Sequence, residues 1–184
     1  QVIWRGPMVS KALMQLMYDT NWQQLDYLII DLPPGTGDIP LTLVKQIPLT
    51  CAIVVSTPQD LALIDAIKAK KMFDKVKTPV IGYVENMSGF TCPNCQHTTA
   101  IFANESDSPL QLELPLLGKI PLDMALRKSA DQGRPFIDHH ETHPATQLFL
   151  NIAYQVSFQI ALLPQDFSHH FPNVVVQSDK GSLP

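Results

Sequence analysis

Two short stretches of the 184-residue sequence hold residue types that chemistry would use. Cys92-Pro93-Asn94-Cys95 sets two thiols at a spacing that lets both sulfurs grip one metal ion or cluster. Two sulfurs do not complete a four-ligand shell, so the remaining ligands must come from elsewhere. A two-fold symmetric homodimer would bring two such pairs together and hold a 4Fe-4S cluster on its axis. The spacing alone leaves other uses open: half of a zinc ribbon, a zinc site shared across a dimer with His97 nearby, a redox dithiol, or a disulfide. The third cysteine, Cys51, opens an apolar run and reads as a small core hydrophobe.

The second stretch runs from Asp31 through Pro33-Pro34-Gly35-Thr36-Gly37-Asp38. Residues 27–30 form a continuous apolar run, the pattern of a parallel strand buried on both faces, and Asp31 stands at its carboxyl end. Ligands bind at that end of open α/β sheets. A carboxylate there is suited to Mg²⁺, directly or through water, and the Gly35 N–H is open to a terminal phosphate. The plainer alternative is a strand-ending aspartate followed by an ordinary turn. Asn86 follows a third apolar run, and its amide offers a donor and an acceptor to a planar ligand such as adenine; the plainer role is closing a strand in a turn. His139, His140 and His143 lie among polar residues and read as a solvated loop.

The elements that must position these groups alternate in type. Helical spacing predicts helices over residues 8–18, 41–47, 124–130 and 145–163, with strands over residues 27–30, 51–56, 79–84 and 116–120. Thr57-Pro58-Gln59-Asp60 supplies an N-cap, a first-turn proline and an acidic third position. In the helix it opens, Leu61, Ile64, Ala66, Ile67, Ala69 and Met72 outline an apolar side, with Lys68, Lys70, Lys71 and Lys75 in water. Residues 86–108 are polar and read as a loop or small hairpin holding the cysteine pair. Strands alternating with helices predict an α/β fold, a mostly parallel sheet with helices on both faces. Residues 1–163 read as one domain, and residues 164–184, without periodicity, as a mobile tail.

Composition narrows the function classes. A net charge of −4 supplies no basic field, which excludes nucleic acid as the main partner. No apolar run is long enough to span a membrane. Three cysteines are too few for a disulfide framework and suit a reducing compartment, read here as cytoplasm. The first residues, Gln1-Val2-Ile3-Trp4, carry neither Met nor a signal-peptide pattern, and the expectation is an amino-terminally incomplete domain.

Read in order, Trp4-Arg5-Gly6-Pro7-Met8, the segment from Asp31 to Asp38, Ser56-Thr57-Pro58-Gln59-Asp60-Leu61-Ala62-Leu63, Glu85-Asn86-Met87-Ser88, Cys92-Pro93-Asn94-Cys95 and Pro115-Leu116-Leu117-Gly118-Lys119-Ile120-Pro121-Leu122-Asp123 resemble one family. It is the Mrp/ApbC branch of the deviant Walker P-loop ATPases, whose wider group includes MinD and the nitrogenase iron protein. The resemblance implies that Asp31 serves Mg²⁺ and its water, that Gly35 senses the γ-phosphate of ATP, and that Asn86, Pro121 and Asp123 line the base pocket. It also implies that Cys92 and Cys95 hold a 4Fe-4S cluster across a homodimer, for delivery to apo iron–sulfur proteins. Relatives carry a glycine-rich loop ending in Gly-Lys-Ser/Thr, and no such segment occurs here. The expectation is an ATP hydrolase when intact and weak or absent ATP binding by these residues alone. The alternative is a non-catalytic zinc-binding or partner-binding module of the same fold.

Overall fold

The computed structural model describes residues 6–32, 38–92, 94–95, 97–102 and 113–164. Gly35 and its two prolines lie outside the described residues, as do residues 165–184, on which the expected tail falls. The elements run α1 (Gly6–Tyr18), α2 (Asp38–Gln46), β1 (Ala52–Ser56), α3 (Asp60–Lys75), β2 (Val80–Thr91), β3 (Thr98–Thr99), β4 (Leu116–Leu122), α4 (Met124–Asp131), α5 (Phe136–His139) and α6 (Pro144–Ala161). No helix among them is long and apolar enough to cross a membrane.

The sheet is mixed and mostly parallel. β2 lies between β1 and β4 and is parallel to both, and its far end pairs antiparallel with the short β3. Successive strand residues point to opposite faces. Tyr83 packs with Val54 and with Leu63 and Ala66 of α3, while Val84 packs with Leu117 and Ile120 beneath Ile152 and Val156 of α6. Helices therefore cover both faces, as expected. The sheet and α6 meet closely at Gly118, where an added Cβ would run into the Ile152 side chain, so only glycine fits without repacking. Tyr83, 2% exposed, is the most deeply buried large side chain among the described residues, and its hydroxyl has no hydrogen-bond partner there.

α3 is amphipathic, and its buried face is the expected one at Ala66, Ile67 and Met72 but not at its start. Leu63, Ala66, Met72 and Phe73 are buried, whereas Leu61 and Ile64 face solvent. The lysines are wet as expected, with Lys68 bonded to Asp65 at 3.0 Å and Lys70 to Asp74 at 3.2 Å. Thr57 is not the cap. The helix begins after Gln59, and the Thr57 hydroxyl donates to Gln59 Oε1 at 3.1 Å.

Three other expectations are corrected. Residues 27–30 are not a strand: they have no ladder partner among the described residues, and Ile29 is 92% exposed. An apolar run becomes a strand only where a neighbouring edge takes up its N–H and C=O groups, and no described edge does so. β2 does not stop at Val84 but continues to Thr91, because its last residues find β3 as a new partner. The histidine link is not wholly solvated. Phe136 is buried, with the His140 ring stacked on it at a centroid distance of 4.5 Å and His143 edge-on at 5.2 Å.

Candidate functional site

The cysteine pair sits in the turn between β2 and β3. Phe90 pairs with Thr99 and Thr91 with Thr98, and the two threonine hydroxyls lie 3.0 Å apart. One step further, the Cys92 N–H donates to the His97 carbonyl at 2.9 Å. Cys92 is half-buried and Cys95 exposed, and both are free thiols. The backbone N–H groups of Cys95 and Asn94 point at the Cys92 sulfur, as does the Cys95 thiol, and together they hold the Cys92 thiol below the usual range. Such a thiol is ready to ligate, because the thiolate is the form that binds metals. Cys51 contrasts with it: half-buried just before β1, its thiol is pushed up by burial, which fits a packing role.

Among the described residues, no group of three or more His, Cys, Asp or Glu side chains converges on one metal position. Cys92 and Cys95 therefore present two sulfurs, with no third ligand-type side chain gathered beside them among the described residues. The histidines of the 139–143 link do not join them or form a metal centre of their own.

A second group gathers at the carboxyl ends of the parallel strands. Asn86 of β2 is in register with Ile120 of β4, the residue before Pro121, and after a register shift Phe90 meets Leu122, the residue before Asp123. At Met87 the backbone enters the left-handed region, φ 55°, and the ladder with β4 shifts register. The Asn86 Oδ1 accepts the Met87 N–H at 2.9 Å, so part of its amide capacity is spent on this bend. The plainer role foreseen for Asn86, closing a strand in a turn, does not hold, because β2 continues through it to Thr91.

Asp123 is the N-cap of α4. Its Oδ1 accepts from Ala125 N at 2.7 Å and Leu126 N at 3.2 Å, and its Oδ2 lies 3.6 Å from Nε2 of His143. His143 in turn caps α6, with Nδ1 accepting the Ala145 N–H at 3.2 Å. One imidazole thus links the starts of two helices next to the candidate base pocket. Sequence reasoning missed this role, although a residue placed just before Pro144 at a helix start carries an N-cap signal. It also missed the ion pair between Lys119 and the largely buried Glu85, 3.0 Å apart across β2 and β4.

Asp31 is exposed, in the run that precedes α2 and is not on a ladder. The structure places Asn86 on β2 and Pro121 on the neighbouring β4, with Asp123 just after β4, and sets Cys92 directly after the end of β2. Five residues separate Asn86 from Cys92, a span of about 20 Å at most.

A family described as ParA, the NUBPL iron-transfer P-loop NTPases, matches residues 1–157. The chain is similar to the iron–sulfur cluster carrier protein of Escherichia coli K12, 48% identical over 161 residues, covering 86% of this chain and 44% of that protein. It is also similar to the iron–sulfur cluster transfer protein NUBPL of Dictyostelium discoideum, 40% identical over 179 residues, covering 95% and 55%. Among solved structures, a nucleotide-binding protein from Archaeoglobus fulgidus in complex with ADP superposes with a TM-score of 0.65 at 38% identity, over 77% of this chain and 58% of that one. The chain spans about half the length of the curated relatives it matches.

Proposed function

The chain belongs to the family of NUBPL-type iron-transfer P-loop NTPases, and from that premise we propose that it serves in ATP-governed carriage of a 4Fe-4S cluster to apo-proteins. The observation that carries this reading is β2 itself. One strand bears Asn86 at the nucleotide end of the sheet and ends in the loop that offers the Cys92 and Cys95 thiols.

In this reading the cluster is cargo held by four thiolates, two from each of two copies of the chain. Each copy supplies an exposed Cys95 and a Cys92 whose thiol is lowered by backbone N–H groups, a donor set that suits iron. Shared ligation at a surface turn favours release, because separating the copies removes half of the ligands at once. A reducing compartment such as cytoplasm keeps the thiols available.

The nucleotide side of the reading rests on the carboxyl edge of the sheet. Asn86, Pro121 and Asp123 bind the base, and the exposed Asp31 carboxylate serves Mg²⁺ and the attacking water of ATP hydrolysis. Gly35 reads the γ-phosphate through its N–H. Movement of the segment from Asp31 to Asp38 on nucleotide binding then biases the dimer contact and with it the hold on the cluster. Because these residues contain no glycine-rich phosphate loop, they alone bind ATP weakly or not at all.

Anaerobic reconstitution with iron and sulfide tests the assignment. About four iron and four sulfide per pair of chains support it. Stoichiometric zinc without sulfide, under the same exposure to both metals, would favour the zinc-binding module instead.

A further inference from the structure

His143 sets its two ring nitrogens against two different partners. Nδ1 accepts the Ala145 N–H at 3.2 Å, and Nε2 faces Asp123 Oδ2 at 3.6 Å. The first contact fixes the tautomer: a ring nitrogen that accepts carries no hydrogen, so the neutral ring holds its hydrogen on Nε2. The second contact lies beyond hydrogen-bond range. In the neutral ring the α6 cap is therefore made and the link to Asp123 is slack.

A second proton reverses that balance. Imidazolium has two donors and no acceptor, so an Nδ1–H meets the Ala145 N–H donor to donor and the cap is lost. Nε2–H then carries positive charge opposite Asp123 Oδ2, and charge-assisted bonds are shorter and stronger than neutral ones. That oxygen is the spare one, because Oδ1 already accepts from Ala125 and Leu126. With 31% of its side chain open to water, His143 exchanges protons with solvent directly. Asp123 faces the ring from the start of α4. From α5 and the link after it, the His140 ring lies 6.2 Å away, and Asp138, His139 and Glu141 line the same hollow. α6 carries no charged side chain. The buried Phe136 ring, edge-on to His143, steadies it between its two partners.

We infer that His143 is a proton-controlled positioning residue for Asp123. Neutral, it caps α6 and leaves Asp123 Oδ2 free. Protonated, it releases the Ala145 N–H and draws that oxygen to itself. One proton thus sets the start of α6 and the spare oxygen of Asp123 in opposite senses. Assigning that oxygen to a nucleotide base rests on the function proposed above, in which acid withdraws it from the ligand. The switch itself involves no nucleotide, so its test stands apart from that reading.

Nuclear magnetic resonance of the chain tests the switch. At about pH 8 the His143 ring nitrogens should show the Nε2–H tautomer. The titration then runs down to about pH 5.5, across the usual imidazole range and above that of carboxylates. Over it, protection of the Ala145 N–H relative to its intrinsic exchange should fall about fivefold or more. The Asp123 carboxyl carbon should report the same transition, although carboxylates do not titrate there. His143→Asn keeps a capping oxygen without the proton, so both responses should vanish. His140→Phe keeps a ring on Phe136 and should leave both in place. An Nδ1–H tautomer at the upper pH, constant Ala145 protection, or an Asp123 signal blind to the transition would overturn the inference. So would the same responses in His143→Asn, or their loss in His140→Phe, which would assign the proton to His140. The tautomer and the titration of the unaltered chain need no variant, so they decide the matter even where a substitution disturbs the fold.

Discussion

Glu85 and Lys119 face each other in register across β2 and β4, with Glu85 Oε1 3.0 Å from Lys119 Nζ. The carboxylate is largely buried and the ammonium half in water, so the pair ties together the two strands that carry Asn86 and Pro121. Replacing Lys119 by Ala leaves a mostly buried charge without its partner. The expected loss is about 1 kcal/mol, since the exposed lysine end is partly screened. Urea denaturation measures it, and Glu85→Gln in the same chain should restore part of the loss.

Tyr83 offers the opposite case. Its hydroxyl is buried with no hydrogen-bond partner among the described residues, and burial together with the nearby Glu85 charge pushes its ionisation up. Tyr83→Phe removes the unpaired group and keeps the ring. Stability should rise by up to about 1 kcal/mol, read as a higher denaturation midpoint at unchanged slope; a loss of that size would mean that the hydroxyl has a partner.

The two roles of Asp123 separate by substitution. Asp123→Ala removes the α4 cap and should cost about 1 kcal/mol. Asp123→Asn keeps a capping oxygen and should stay within a few tenths of a kcal/mol. Both are measured by thermal or urea unfolding, and equal losses would show that the contact with His143, not the cap, dominates.

Thiol reactivity should follow the two environments. The Cys92 thiol is lowered by N–H groups of Cys95 and Asn94, so its thiolate persists as pH falls below the ordinary thiol range. The Cys51 thiol is raised by burial, so its thiolate forms only at higher pH. Alkylation followed by peptide mass analysis should therefore label Cys92 well before Cys51 as pH is raised from 6 to 9, about the range over which thiols titrate. Labelling in the reverse order would contradict the geometry of the turn.

Much of the architecture was legible because it is local. Val54 and Val84 belong to short apolar runs, and Leu148, Ile152 and Val156 recur at helical spacing, so β1, the first half of β2, and α6 could be read directly. Features that depend on a distant partner were not. Asn86, Ser88 and Gly89 look like loop residues, and only pairing with Thr98 and Thr99 makes the end of β2 a strand. Tyr27 to Ile30 look like a strand, and only the absence of a described neighbour leaves them unpaired. The apolar side of α3 was misjudged at Leu61 and Ile64 because the sheet, not the helix, decides which side is covered. At the candidate site, residue types and spacing singled out Cys92, Cys95 and Asn86, and the family resemblance singled out Asp123. The link from Asp123 to His143 needs the packing of α5 and was invisible before it.

In the proposed function two thiols per chain find their complement in a second copy, and sedimentation of the anaerobically reconstituted chain tests this directly. Iron–sulfur absorption should travel with the dimer, and Cys92→Ser or Cys95→Ser should abolish it while circular dichroism stays unchanged. Colour that sediments with a single chain, or that survives replacement of both cysteines, would contradict the shared half-site.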